Sequence, residues 1–282
     1  MNMLGLRQDT SRLILALLYP LKPGRLAGLP GLWAKLIRYW FVRPDPEAPF
    51  PPVEKAMKNP DGLLSIGGPF TTERLIDAYS KGIISFCHLP PMKWWAPKQR
   101  MVLAPEELHV EKNVRRLLRR EIFRVTFDTA FRDVVNACKE PRDNKVPLTW
   151  ITDDVIEIYS QLFTEGHAHS VEVWDEQNQL VGGIFGVAIG RVFFNNSQFS
   201  RVRDTSKLAM AYLNCHLYSW GYRVHDCMHY THHLQRLGAH LMPRDEFNSL
   251  LKKHTNRPGH SGAWAVDESL DVAKWSTEIG KQ

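Results

Sequence analysis

The sequence predicts a mixed α/β (α+β) fold in two parts, a small N-terminal α/β domain over residues 46–148 and a larger α/β domain over 149–267. Three observations carry this. A proline-rich link, RPDPEAPFPPV at Arg43–Val53, disfavours both helix and central strand and sets the start of the chain apart from its body. Beyond the link, apolar residues recur at helical spacing in some stretches and alternate in others. A chain of 282 residues with 44% apolar content can bury two cores. Residues 1–45 read as a basic, apolar N-terminal extension and 268–282 as a C-terminal tail.

Within the extension, Leu13–Tyr19 ends at Pro20, well short of the ~20 apolar residues of a spanning helix. No small-residue cleavage site follows that run cleanly, which argues against a secretory signal. Residues 32–43, LWAKLIRYWFVR, interleave Leu32, Trp33, Leu36, Ile37, Trp40 and Phe41 with Lys35, Arg38 and Arg43. This pattern fits a helix resting on anionic lipid, and equally a helix docked on the body or on a partner. Up to Arg43 the basic residues are Arg7, Arg12, Lys22, Arg25, Lys35, Arg38 and Arg43, against Asp9 alone. That leaves the segment at +6, the net charge of the whole chain, so the body is neutral. Polyanion binding by the body must therefore come from local clusters. The cysteines Cys87, Cys138, Cys215 and Cys227 include no C-x-x-C pair, which points to a reducing cytosol.

In the first part of the body, Thr71-Thr72-Glu73-Arg74 precedes Leu75, Ala78 and Tyr79 as a helix start does. Val110–Arg120 reads as an amphipathic helix, with Val110, Val114, Leu117 and Leu118 on one side and Lys112, Arg115, Arg116, Arg119 and Arg120 on the other. In the second part, Thr152-Asp153-Asp154 opens a helix through Ile156, Tyr159 and Phe163. Strands follow at Ser170–Trp174, Leu180–Ile189 and Val192–Phe194, with a turn at Asp175–Gln179. Asp204-Thr205-Ser206 caps a long helix ending near Trp220-Gly221, Tyr222–Cys227 makes another strand, and a last helix lies around Glu246–Lys253. Helix, meander, helix, strand, helix is the order of an acyl-CoA N-acyltransferase-like (GNAT-like) domain.

The motifs NPDGLLSIGG, AYSKGI, MKWWAPKQR, TWIT, GHAHSVEVW, LVGGIFGVAIG, FSR, SK and HDC occur in that order from about Phe50 to Val266. In them the chain resembles the leucyl/phenylalanyl-tRNA–protein transferases, as a divergent member; the extension is something such proteins usually lack. The resemblance implies a small N-terminal domain, a GNAT-like catalytic domain, and transfer of an amino acid from an aminoacyl-tRNA to an N-terminal Lys or Arg of a protein, the tagging step of the N-degron pathway. It implies a cytoplasmic enzyme with no cofactor and no metal. No R/Q-x-x-G-x-G/A loop that would hold a CoA pyrophosphate is found.

An ester donor and an amine acceptor need positioning, loss of a proton and a stabilised oxyanion, but no covalent enzyme intermediate. By the resemblance, Asp226 of HDC matches the acidic residue that polarises the amine. Its place at a strand's end suits a general base or orienter, and also a cap for the next helix. Asn196 stands where the family has a glutamate reaching the bound amino acid, and Gln198 where an apolar residue is usual. Met228 replaces a glutamine, His225 an apolar residue and Phe86 a tryptophan. Trp150, Tyr159 and Phe193 occupy the family's aromatic positions, with Phe199 and Ser200 beside them in FSR. A donor pocket altered from the Leu/Phe type is the expectation. Lys112, Arg115, Arg116, Arg119 and Arg120 match a basic stretch on which the tRNA acceptor stem docks, although such a run is also a common solvated face.

The cluster His225, Asp226, Cys227, His229, His232 and His233 follows no established zinc spacing, and no metal site is expected there. His167 and His169 read as structural hydrogen-bonders, and Trp94 and Trp95 as packing between the domains. Two other readings stay open. One is a related N-acyl- or aminoacyltransferase acting on a small molecule or lipid, with residues 1–45 in peripheral contact with the inner membrane. The other is a non-catalytic tRNA binder.

Overall fold

Short apolar runs punctuated by proline and glycine give small sheets, and longer alternating runs give large ones; the described residues form one of each. The computed structural model describes residues 23–42, 45, 47–88, 90–141 and 148–278. The run Leu13–Tyr19, Arg43 and the last four residues of the tail lie outside them. The chain divides into two compact units, Met1–Lys98 with Lys139–Thr152, and Gln99–Cys138 with Asp153–Gln282.

The first unit holds helix α1 (Leu29–Phe41), strand β1 (Leu63–Ile66), helix α2 (Thr72–Ser80) and strands β2 (Ile84–Ser85) and β3 (Lys93–Trp95). The strands form an antiparallel sheet in the order β1-β3-β2. As the Thr-Thr-Glu-Arg start predicts, the Thr71 hydroxyl accepts from the Arg74 backbone N–H at 3.3 Å and caps α2. The core gathers on Trp94, which is fully buried. Its indole N–H donates to Gly67 O at 2.9 Å, and its ring meets Phe50 edge-on with centroids 4.9 Å apart. Trp94 is thus part of this unit's own core, and the Trp95 indole N–H is taken up by Phe86 O at 2.8 Å within the same unit.

The second unit is a seven-stranded sheet in the order β10-β4-β9-β8-β7-β6-β5. Its strands are β4 (Gln99–Leu103), β5 (Arg124–Phe127), β6 (Ala168–Trp174), β7 (Leu180–Ile189), β8 (Val192–Ser200), β9 (Val224–Asp226) and β10 (His240–Pro243). Neighbours are antiparallel except β8 and β9, which are parallel. Helices α3 (Lys112–Arg120), α4 (Phe131–Lys139), α5 (Asp153–Thr164), α6 (Thr205–Ser219), α7 (His232–Arg236), α8 (Arg244–His254) and α9 (Val272–Glu278) complete it. The expected succession is present: α5, the β6–β7–β8 meander, α6, β9 and further helices. α6 is the crossover that a parallel β8–β9 pair requires. It buries Leu208, Ala209, Met210, Leu213, Cys215 and Leu217.

The boundary expected at residue 148 needs correction. Residues 99–138 supply β4, β5, α3 and α4, and β4 and β5 pair with the strands of the second unit. Strands this short carry too little alternation to reveal their partners, which lie far away in sequence. Asp204 stands before α6 as expected, but its side chain makes no cap; it meets Lys207 Nζ at 2.9 Å.

Candidate active site

Strands β8 and β9 pair only over Val192–Phe194 and Val224–Asp226. Beyond that point β9 stops, while β8 runs on to Ser200 paired with β7 alone. Two parallel strands therefore part at their carboxyl ends, the place where open α/β sheets bind ligands. Asp226 is the last residue of β9, opposite Phe194.

A β-bulge lies where the strands part. Phe185 faces Ser197 and Gly186 faces Asn195, so Asn196 is the extra residue. Gly186 must be glycine there, since a Cβ would meet Phe194 O at 2.3 Å. The bulge sends two consecutive asparagines to different partners. Asn195 Nδ2 donates to His225 Nε2 at 3.2 Å, and Asn196 Nδ2 donates to the Tyr159 hydroxyl on α5 at 2.9 Å. Asn196 and Tyr159, two expected pocket residues, are thereby brought together.

The Asp226 carboxylate is fully buried and already engaged. Arg100 of β4 grips it with both Nε, at 3.2 Å, and Nη2, one nitrogen to each oxygen. The Met228 backbone N–H donates to Oδ1 at 2.9 Å, made possible by a left-handed Met228 at φ 66°. Arg100 is buried as well, with its guanidinium over the Phe247 ring at 5.0 Å and Nη2 at 3.3 Å from Met228 Sδ. A two-pronged guanidinium grip of this kind fixes the carboxylate in position and orientation. Both of its oxygens are engaged within the fold, by Arg100 and by the Met228 backbone. Arg100 itself carried no local signal, because its partner lies 126 residues away.

His225 was expected as a polar group of the pocket and is not one. Its ring is fully buried, with Nδ1 donating to Asn214 Oδ1 at 2.9 Å and Nε2 accepting from Asn195. Burial pushes its pKa down to about 3, so the ring is neutral. Its place on β9, bonded to Asn195 of β8 and Asn214 of α6, leaves no solvent for a charge. Phe193 is likewise core, edge-on to His225 at 5.5 Å and 5.7 Å from the Trp264 ring. The Ser200 hydroxyl is used at the start of α6, accepting from Ser206 N at 3.3 Å and donating to Val202 O at 2.9 Å. Phe199 is buried beneath Arg201, whose guanidinium lies 5.5 Å above its ring, and Gln198 sits half-buried on β8 opposite Ile184. In the first unit, Phe86 and Trp150 have ring centroids 6.1 Å apart.

Around the end of β9, burial and the Arg100 charge push the His229 pKa down, and burial raises that of Cys227. His232 Nδ1 meets the Tyr230 hydroxyl at 2.8 Å. Further off, His169 Nδ1 meets Asp128 Oδ2 at 2.8 Å and its ring stacks on Trp264 at 3.8 Å, the structural part expected of it. On α3, Val114 and Leu118 face the core, Lys112, Arg116, Arg119 and Arg120 are exposed, and Arg115 is half-buried. The helix ends at Glu121 in the left-handed conformation.

Comparison with known proteins assigns the class to which the chain belongs. The family model described as leucyl/phenylalanyl-tRNA protein transferase matches residues 102–252. A protein of that name from Alkalilimnicola ehrlichii is 41% identical over 83% of this chain and 90% of its own length. Those from Pseudomonas syringae pv. syringae and Aromatoleum aromaticum are 45% and 42% identical, covering 74% and 83% of this chain and 91% and 98% of their own. The structure of L-PGS from Bacillus licheniformis aligns at 11% identity over 74% of this chain and 71% of that one, with a TM-score of 0.31, too loose to add to the fold described above. The chain belongs to the leucyl/phenylalanyl-tRNA protein transferase family and is an aminoacyltransferase.

Proposed function

We propose that the protein transfers an amino acid from an aminoacyl-tRNA to the α-amine at the N-terminus of a protein, at the parting of β8 and β9. Family membership carries the reaction class, and the Arg100–Asp226 pair beside the bulge carries the place. The amine attacks the ester carbonyl, the C–N bond forms, and the C–O bond to the ribose breaks. The proton lost by nitrogen ends on the released ribose oxygen. An α-amine has a pKa of about 8, so a useful share is neutral near pH 7 and no strong enzymatic base is needed. Asp226 serves as the positioning anion, and the exposed cations of α3 receive the phosphates of the acceptor stem.

The donor preference departs from leucine and phenylalanine. The supporting observation is Asn196, which stands at the bulge with its amide given to Tyr159, where the resemblance places a glutamate. A neutral amide lacks the negative charge with which a carboxylate would pair a donor ammonium. Purified protein, a set of singly charged tRNAs and an Arg-initiated peptide test both parts. Transfer of another amino acid at a higher kcat/KM than Leu or Phe is the expected result. Efficient Leu or Phe transfer contradicts the altered preference, and tRNA binding without transfer contradicts the enzyme.

A further inference from the structure

Helix α1 has one side docked on the first unit and an apolar side exposed. Its inner side is fixed on the first unit. The Tyr39 ring lies so close to Gly67 that a Cβ there would come within 2.1 Å of it, and Lys35 Nζ donates to Leu64 O at 2.6 Å. Asn59 Nδ2 donates to Ala27 O at 2.8 Å just before the helix. Opposite lie Trp33 at 51% exposure, Ile37 at 47%, Trp40 at 60% and Phe41 at 85%. They fall at i, i+4, i+7 and i+8, a single stripe along the helix. A contiguous apolar stripe held outward by a docked inner face marks an interaction surface.

We infer that this stripe seats the protein peripherally on an anionic lipid surface. Two tryptophans and a phenylalanine are the side chains that settle at the headgroup boundary of a bilayer. The charge matches the same partner: the cations up to Arg43 carry the whole +6 of the chain, and Arg38 is exposed on the flank of the stripe. A second copy is the poorer fit, since a twofold contact through α1 would set exposed Arg38 near its own copy. Among the described residues no helix is long and apolar enough to cross a membrane, so the contact is one of lying on the surface. The inference stands apart from the transfer reaction and uses none of its residues.

The test is co-sedimentation of the full chain with vesicles of phosphatidylcholine alone and of phosphatidylcholine with about a third phosphatidylglycerol. The expected result is binding to the anionic vesicles that weakens in about 0.5 M salt. The combined variant Trp33→Ser, Ile37→Ser, Trp40→Ser, Phe41→Ser should bind about tenfold or more weakly, with its urea unfolding midpoint close to that of the parent. Arg38→Glu should lose part of the affinity and keep the fold. Absent vesicle binding at low salt, or equal binding by the combined variant, overturns the inference. So does sedimentation velocity showing a parent dimer that the variant loses, which would assign the stripe to a second copy.

Discussion

Arg100 and Asp226 form one unit, because neither charge has water to fall back on. Removing one partner leaves an uncompensated buried charge, so Arg100→Met should cost about 3–5 kcal/mol in urea unfolding. Arg100→Lys keeps the charge but not the fork. It should fold, bind tRNA normally and lose about 10²-fold in kcat as Asp226 shifts, with little change in KM. A parental kcat in a folded Arg100→Lys protein would remove Asp226 from the site. His225 adds a pH dependence. In the folded chain its ring stays neutral down to about 3, whereas in the unfolded chain it takes a proton below about 6.5. Between those values the unfolded state binds more protons, so stability falls as pH drops through that window. Burial lowers the pKa of His216 and His229 too, with the same sign. Melting temperatures from pH 7 to 5 should therefore decline, and His225→Gln should flatten the decline. An unchanged slope in that variant would mean the ring is protonated in the folded chain.

Elements differed in how legible they were, for physical reasons. β7 has its full length from Leu180 to Ile189 in the sequence because an unbroken apolar run buried on both sides needs no partner to be recognised. β8 reads as ending at Phe194, since Asn195-Asn196-Ser197-Gln198 is polar; the strand continues with His225 and Tyr159 taking up the two asparagine amides. β4, β5, α4 and β10 have no sequence signature of comparable strength, and pairing with distant residues makes the strands. Helix α3 was plain from its spacing, and the proposed role of its exposed cations is to receive tRNA phosphates. Arg116→Ala and Arg119→Ala should each lower affinity and reduce the slope of log affinity against log salt by about 1. Slopes that stay unchanged would leave α3 a solvated face. At the bulge, Asn196→Glu should raise Leu or Phe transfer about tenfold relative to other donors. No change there would place donor selection elsewhere.

The whole chain is a neutral body with a basic, apolar leading segment, and that division was evident from charge alone. The family was evident from the order of its motifs. What could not be read was the allocation of residues 99–138 to the larger sheet, and with it Arg100, since a sheet gathers strands by spatial pairing and leaves no mark of that in local sequence. The most direct test of transfer uses a tRNA charged with a radiolabelled amino acid, the purified protein and an Arg-initiated peptide, each peptide also prepared with an acetylated N-terminus. Label should move to the free α-amine as an alkali-stable amide, at a rate rising with pH to about 8 as the amine deprotonates, and the acetylated peptide should take none. Label that stays on tRNA with every amino acid tried, or that reaches the acetylated peptide equally, would contradict transfer to the N-terminal amine.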